Sequence, residues 1–178
     1  MPQTSRRHFM TALATALPAL ALPARARAAI HDVRALDFVH THTGETLSIE
    51  YARGDQYHPD ALATVNHFLR DFRTGDVHPI DQGLLDLLHG LTRLTETRRP
   101  FQVISGYRSP KTNALLRSHS EGVAGQSLHM RGQAIDLRLA DVPLAKLRKA
   151  ALAAARGGVG YYPASNFVHV DTGRRRSW

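Results

Sequence analysis

Two short segments in the last third of the chain alternate strictly between apolar and polar side chains, and they constrain the fold most. In residues 133–139, isoleucine and leucine occupy one face of a strand and Asp136 falls on the other. In residues 167–171, two valines lie opposite His169 and Asp171. Strands with this pattern cover a core with one face. We therefore predict one sheet whose opposite face carries polar groups.

Periodic apolar positions predict further strands and several helices. The strands are expected at residues 36–40, 46–51, 101–105 and 159–162, and the helices at residues 58–73, 79–97, 110–117 and 143–156. The first two strands flank Thr43-Gly44-Glu45, which is typical of a hairpin. This order of elements indicates an α+β fold, a single domain in which several helices pack on an antiparallel sheet.

The first 28 residues have the pattern of an export signal. The segment begins with paired arginines at Arg6 and Arg7 and continues with an apolar stretch over residues 10–22, and small residues follow that stretch. An apolar stretch of this length is too short for a permanent membrane anchor, and paired arginines before it are typical of a twin-arginine signal. We expect a signal at residues 1–28, a folded domain at residues 29–178, and a periplasmic mature protein without a stable membrane span. A retained amphipathic helix is the alternative.

The absence of cysteine limits the chemistry of an exported chain. It excludes disulfides, thiolate metal ligands and a cysteine nucleophile, so any metal must bind to His, Asp or Glu. The net charge is +8, but four of the arginines lie in the export signal, which has no acidic residue. The run Arg174-Arg175-Arg176 is typical of a solvated tail, which could also attract an anionic polymer. Carboxylate-rich cell-wall peptides are the expected partner, and nucleic acid is not.

His129, Asp136 and His169 are the candidate metal ligands. Asp136 and His169 lie on the polar faces of two stiff strands, and Gly132 allows a tight loop that returns His129 toward Asp136. Two imidazoles and a carboxylate suit a catalytic zinc, which has three protein ligands and an open position. Solvated surface residues are the alternative, and the His-Thr-His run at residues 40–42 is a second potential pair that lacks a third ligand.

The spacing around these ligands is specific. The run Ser127-x-His129-x-x-Gly132-x-Ala134-x-Asp136 is similar to the zinc-binding signature of the D-Ala-D-Ala carboxypeptidase, lysostaphin and hedgehog-type metallopeptidases. Within that group, the runs Ser105-Gly106-Tyr107-Arg108-Ser109, Gly160-Tyr161-Tyr162-Pro163 and His169-Val170-Asp171 resemble the murein endopeptidase K subfamily. The resemblance covers residues 35–178, almost all of the expected mature chain.

The resemblance implies a hedgehog/D,D-peptidase-like fold for residues 29–178 and a zinc ion bound by His129, Asp136 and His169. It also implies that Arg108 assists the reaction by holding a substrate carboxylate or the developing oxyanion. A structural arginine in a turn is the alternative. The serine at position 127 is expected to orient the ligand loop. The tyrosine before Arg108 is expected to pack beneath the site, and contact with substrate is the alternative.

The resemblance leaves the general base open. Carboxypeptidases of the group carry a glutamate three residues before the last metal ligand, where this chain has Asn166. Asp171 shares a strand face with His169, so its carboxylate could accept a proton from water or orient the imidazole. His119, in the loop before the first ligand, is a weaker alternative. Asp171 and Arg108 are thus the predicted catalytic residues.

These residues and this resemblance predict a zinc-dependent murein endopeptidase that hydrolyses amide cross-links between peptidoglycan stem peptides during cell-wall expansion or remodelling. The residues by themselves support metal-assisted amide hydrolysis outside the cytoplasm. Two alternatives stay open. One is a D,D-carboxypeptidase that trims a terminal D-alanine, and the other is a zinc-binding or wall-binding module without catalysis. The sequence identifies no regulatory protein partner.

Overall fold

The computed structural model describes residues 32–120 and 122–178. The predicted export signal at residues 1–28 lies outside the described residues. Within the part of the chain that is described, no helix combines the length and apolar character needed to cross a membrane. The described residues form one eight-stranded sheet together with its helices and loops.

The predicted α+β architecture is confirmed. The strands are β1 (Val33–His40), β2 (Thr46–Arg53), β3 (Gln56–Tyr57), β4 (Phe101–Ser105), β5 (Ala134–Arg138), β6 (Gly158–Tyr162), β7 (Phe167–Asp171) and β8 (Arg176–Ser177). The helices are α1 (Pro59–Phe68), α2 (Gln82–Thr95), α3 (Pro110–His119) and α4 (Leu144–Ala154), with one 3₁₀ helix at Leu128–Arg131. The strand order is β3-β2-β1-β4-β5-β7-β6-β8.

The sheet is antiparallel in its centre and parallel at two junctions. Within the group β4-β5-β7-β6 each strand pairs antiparallel with the next, as predicted for the part that carries the polar side chains. β1 pairs parallel with β4, and β6 pairs parallel with β8. The first parallel pair forms because α1 and α2 lie between its strands in sequence and carry the chain back to the same end of the sheet.

The core lies between one face of the sheet and three helices. The apolar positions of the alternating strands point to this face, as predicted. The buried strand residues include Leu36, Phe38, Phe101, Val103, Ile135, Leu137, Val168 and Val170. The helices α1, α2 and α4 contribute Val65, Phe68, Leu84, Leu88, Leu91 and Leu147. Burying a side chain of this size stabilises the fold by roughly 1.5–3 kcal/mol. This face therefore fixes the orientation of β5 and β7 and directs their polar side chains to the other face.

Helix α1 ends before its predicted boundary because the chain after it supports the loop that follows β4. The carbonyl of Leu69 accepts a hydrogen bond from the Tyr107 amide at 2.8 Å. A Cβ at Gly106 would lie 2.6 Å from that same oxygen, so only glycine allows this close approach. The carboxylate of Asp71 accepts a hydrogen bond from the Ser109 amide at 2.8 Å. These contacts hold residues 106–109 against the polar face of the sheet.

Candidate metal centre

The structure brings the three predicted ligands together. β5 and β7 pair in a register that places Asp136 opposite His169. The 3₁₀ helix before β5 carries His129 to the same point. Each of the three residues offers one ligand atom, and these atoms all lie within 4.8 Å of one another. Among the described residues, no other group of His, Asp and Glu forms such a cluster.

The ligand atoms converge on one point. Nε2 of His129 lies 3.2 Å from both Oδ1 of Asp136 and Nδ1 of His169. Nδ1 of His169 lies 2.8 Å from Oδ1 of Asp136. The exposed fractions of these three residues are only 2%, 6% and 8% in chain order. The polar face of the sheet is thus directed away from the core as predicted, but it is buried rather than solvated.

The outer nitrogen of each imidazole has a hydrogen-bond acceptor. Nδ1 of His129 donates to the carbonyl of Gly106 at 2.7 Å. Nε2 of His169 donates to Oδ2 of Asp171 at 3.1 Å. The inner Nδ1 of His169 also faces a carboxylate, that of Asp136, at 2.8 Å. With a cation between the ligands, the outer carbonyl and carboxylate accept the proton of each neutral imidazole and leave the inner nitrogen to donate electrons. Metal-binding histidines have this arrangement, and the cluster therefore fits a metal ion.

Two local features place His129. The hydroxyl of Ser127 accepts a hydrogen bond from the His129 amide at 3.3 Å, which is the orienting contact expected for this serine. Gly132 ends the 3₁₀ helix with a φ of 65°. A Cβ at this position would lie 2.2 Å from the Pro79 carbonyl oxygen, so the turn into β5 requires glycine. The short distance between His129 and Asp136 in the sequence is bridged by this turn.

Within the cluster, Asp136 and His169 each stabilise the charged form of the other. Burial alone would raise the pKa of Asp136, but the charges and hydrogen bonds of His129 and His169 hold that pKa well below its usual range. Burial alone would lower the pKa of His169, yet hydrogen bonds to Asp136 and Asp171 raise it to about 8. The carboxylate of Asp136 is therefore an anion that can bind a cation at any physiological pH.

Asp171 is fully buried, and both oxygens of its carboxylate accept hydrogen bonds. Oδ1 accepts hydrogen bonds from the amides of Gly158 and Gly173, each at 2.9 Å. Oδ2 accepts one from His169 at 3.1 Å and one from Arg176 at 2.7 Å. Burial alone would raise the pKa of Asp171, but these hydrogen bonds lower it well below its usual range. Asp171 touches the outer side of the His169 ring and is not among the residues that line the cleft.

An open cleft of about 550 Å³ lies above the three ligands. One wall consists of loop residues between 122 and 127, and the other contains Tyr162, Phe167 and Trp178. Arg108 lines the cleft as well. Its Nη2 lies 3.5 Å from Oδ2 of Asp136, and its backbone amide donates to the His129 carbonyl at 3.2 Å. The predicted arginine therefore lies beside the ligand cluster and forms part of the cleft lining.

The C-terminal arginine run is exposed, as predicted for a solvated tail, but its last residue also contacts the site. Arg174 and Arg175 are exposed, but the Arg176 guanidinium contacts Asp171 and also lines the cleft. The Trp178 ring lies 5.3 Å from the His169 ring between centroids. These contacts depend on the pairing of the two-residue strand β8 with β6, and a strand this short has no periodic signal. Trp178, two residues after the end of the charged run, was the one available hint.

The other candidates from the sequence lie elsewhere. His40 is buried and its Nδ1 accepts hydrogen bonds from two backbone amides of its own turn, and His42 stacks on Phe72. His119 is exposed at the end of α3 and its Nδ1 bonds to the Leu115 carbonyl of the same helix. The tyrosine before Arg108 stacks on a histidine ring and packs against the core, as expected.

Asn166 occupies the exposed turn between β6 and β7 with a φ of 52°. Asparagine adopts this left-handed conformation more readily than most residues, so the turn itself accounts for an asparagine at this position. Among the described residues that line the cleft, Asp136 is the only acidic one. The position that holds a glutamate in carboxypeptidases of the resembled group thus offers no proton acceptor here.

Comparisons with known proteins agree with this site. A family model described as peptidoglycan L,D-endopeptidase MepK matches residues 28–178. The peptidoglycan L,D-endopeptidase MepK of Escherichia coli K12 is 46% identical over 176 residues, which cover 98% of this chain and 97% of that protein. The probable peptidoglycan L,D-endopeptidase MepK of Haemophilus influenzae is 44% identical over 146 residues, or 82% of this chain and 78% of that protein. The chain therefore belongs to the peptidoglycan L,D-endopeptidase MepK family.

Proposed function

We propose that this protein is a zinc-dependent peptidoglycan endopeptidase that hydrolyses L,D-bonded cross-links between stem peptides during remodelling of the cell wall. The observation that carries the proposal is the buried cluster of His129, Asp136 and His169 at the floor of an open cleft. Relatives that match nearly the whole chain are named as L,D-endopeptidases of peptidoglycan. Peptidoglycan lies outside the cytoplasmic membrane, so this function fits export to the periplasm by the predicted twin-arginine signal of residues 1–28.

Zinc is the proposed metal because the donors are two imidazoles and one carboxylate. Catalytic zinc sites in hydrolases use three protein ligands of these types and keep a further position open. When bound, zinc would supply Lewis acidity, which polarises the scissile carbonyl and lowers the pKa of water, so that water can lose a proton and attack near neutral pH. Nε2 of His129, Oδ1 of Asp136 and Nδ1 of His169 are the atoms that would hold it.

Arg108 and Asp171 have different tasks in this proposal. The Arg108 guanidinium lies in the cleft beside Asp136 and would stabilise the negative charge that develops on the scissile carbonyl oxygen. Asp171 is buried behind His169 and has no contact with the cleft. Of its two predicted roles, accepting a proton and orienting the imidazole, this position favours orientation. Asp171 is thus proposed as a positioning residue and Arg108 as a catalytic one.

Digestion of defined muropeptides tests the function. We expect dimers joined by an L,D bond to fall to monomers, while dimers joined by a D,D bond persist. A chelator should stop the cleavage and added zinc should restore it. Chromatography of the products before and after digestion gives the measurement. Loss of one terminal alanine without loss of cross-links would identify a D,D-carboxypeptidase, and binding of muropeptides without any cleavage would identify a non-catalytic module.

Zinc affinity should increase as the pH rises through about 8 and then level off. His169 has its pKa raised to about 8, so below that pH its ring carries a proton that must leave before Nδ1 can bind a metal. Each pH unit below the pKa should cost about tenfold in affinity for this one proton. Competition with a chelating dye over a series of pH values measures the effect. An affinity that does not change between about pH 6 and 8 would contradict the assignment of His169.

A further inference from the structure

Arg176 lies at the edge of the cleft, where it contacts the carboxylate that accepts a hydrogen bond from His169. We infer that Arg176 is a positioning residue of the metal centre: its guanidinium fixes the Asp171 carboxylate, which in turn accepts a hydrogen bond from Nε2 of His169 and keeps the ring oriented with Nδ1 toward Asp136. This inference rests on the proposed function, because it assigns a task within the same site. It adds a residue from the C-terminal strand to that site.

The contact between Arg176 and Asp171 is bidentate. Nη2 donates to Oδ2 at 2.7 Å and Nη1 donates to Oδ1 at 3.2 Å. Planar guanidinium groups match carboxylates in this way, and the double contact fixes the orientation of the carboxylate as well as its charge. The Asp171 side chain is 0% exposed, whereas that of Arg176 is 36% exposed. The arginine thus joins a buried anion to the surface of the protein.

Arg176 is itself held in place by its surroundings. Its backbone belongs to β8 and pairs with Gly158 of β6. Nη1 donates to the Arg174 carbonyl at 2.9 Å, and the guanidinium lies over the Trp178 ring at 5.0 Å from the centroid. A Cβ at Gly158 would lie 2.6 Å from Nη1 and 2.5 Å from Oδ2 of Asp171, so the absence of a side chain there makes room for the pair.

The buried carboxylate needs this partner. Asp171 accepts five hydrogen bonds, and two of them come from Arg176. Without the guanidinium, the anion would keep two amides and the imidazole as its only partners, and a buried carboxylate without a cation is costly. The amides of Gly158 and Gly173 contact only Oδ1 and not Oδ2. Without Arg176, the orientation of Oδ2 toward His169 would therefore be less fixed.

The expected consequence is a weaker metal site with an intact fold. Groups that hydrogen-bond to a metal-binding histidine set its tautomer and ring orientation, and their loss typically lowers metal affinity by about 10- to 100-fold. Arg176→Gln should therefore lower the affinity for zinc by about 10- to 100-fold. The matched control is Arg175→Gln, because Arg175 belongs to the same run and is exposed, outside the cleft. That control should keep the affinity of the unchanged protein.

Two further measurements separate positioning from a merely structural role of β8. First, the ¹H signal of the His169 Nε2–H group in the metal-free protein, recorded at about pH 6, where both ring nitrogens carry a proton, reports the hydrogen bond to Asp171. We expect a downfield, slowly exchanging signal in the unchanged protein, and a less downfield signal with faster exchange in Arg176→Gln. Second, Arg176→Gln should add little to the loss of zinc affinity caused by Asp171→Asn, since an arginine that acts through Asp171 has no route left in that background.

The outcomes decide between the inference and the proposed function. If the unchanged protein binds no zinc, the proposed function fails, and the Nε2–H signal of the metal-free protein still tests the task of Arg176. If Arg176→Gln has the Nε2–H signal and the zinc affinity of the unchanged protein, the inference is overturned while the zinc site stands. Should Arg176→Gln not fold, Arg176→Lys gives the test instead. It keeps the charge but loses the bidentate contact, and the same change of the Nε2–H signal is expected at smaller amplitude.

Discussion

Replacing Asp136 with alanine should remove zinc binding and muropeptide cleavage together. Asp136 is the only anion of the ligand cluster, and its Oδ1 lies within hydrogen-bond distance of both inner imidazole nitrogens. If binding energy is shared among the ligands, losing this one costs about 4 kcal/mol, or roughly a thousandfold in zinc affinity. Cleavage of L,D-linked dimers should fall below detection. Zinc titration and chromatography of the digests measure the two effects.

The matched control for Asp136→Ala is Asp55→Ala. Asp55 is exposed in the turn between β2 and β3, and its loss should leave both zinc affinity and cleavage unchanged. Urea unfolding of the metal-free variants shows whether each has folded. A folded Asp136→Ala protein that binds zinc as tightly as the unchanged protein would remove Asp136 from the metal site. One that cleaves dimers normally would overturn the proposed mechanism.

The ligand cluster could be predicted because its signal is local. A period of two places Asp136 and His169 on the polar faces of their strands whatever the rest of the chain does. The glycine at position 132 signalled the turn that brings His129 back. The burial of these side chains was not predictable in the same way, since alternation gives the direction of a side chain and not the loops that cover it. Here the residues around the ligands also come from the segments after β4, before β5, between β6 and β7, and after β7.

Contacts between distant parts of the chain account for what the sequence did not predict. Helix α1 stops early because the Leu69 carbonyl is taken by the Tyr107 amide, far along the chain. Arg176 joins the site because β8 pairs with β6 in parallel, and the sequence of neither strand predicts that pairing. Asp171 was left with two roles, and only its enclosure by Gly158, Gly173 and Arg176 favours one of them. In the first two cases the deciding contact joins segments that are far apart in the sequence. For Asp171, two of the three partners are close in the sequence, but the position of Arg176 depends on the pairing of β8 with β6.

The two sides of the ligand cluster divide the work. Behind it, Asp171 and the Gly106 carbonyl hold the outer imidazole nitrogens. In front of it, the cleft is open and carries the Arg108 guanidinium. Mutations behind the cluster should therefore act on metal affinity, and mutations in front of it should act on turnover. Arg108 provides the clearest test of the second statement.

Arg108→Gln should lower kcat by about 10²- to 10³-fold while zinc affinity stays close to that of the unchanged protein. Removing one group that stabilises developing negative charge has an effect of this size. The contact of Arg108 with Asp136 is long, at 3.5 Å, so its loss should hardly disturb the metal ligand. Steady-state kinetics on L,D-linked dimers and zinc titration of the same preparations give the two quantities. Arg175→Gln removes an exposed charge of the same kind and should change neither.

The kinetic pattern also tells which negative charge Arg108 meets. If it stabilises the oxyanion, kcat and kcat/KM fall together, because the contact exists only in the transition state. If it holds a substrate carboxylate throughout, KM rises and kcat changes little. Arg108→Lys should recover part of the loss in either case, since it keeps the charge without the planar fork of donors. An Arg108→Gln protein with unchanged kcat/KM would show that this arginine serves only to pack the turn beneath the cleft.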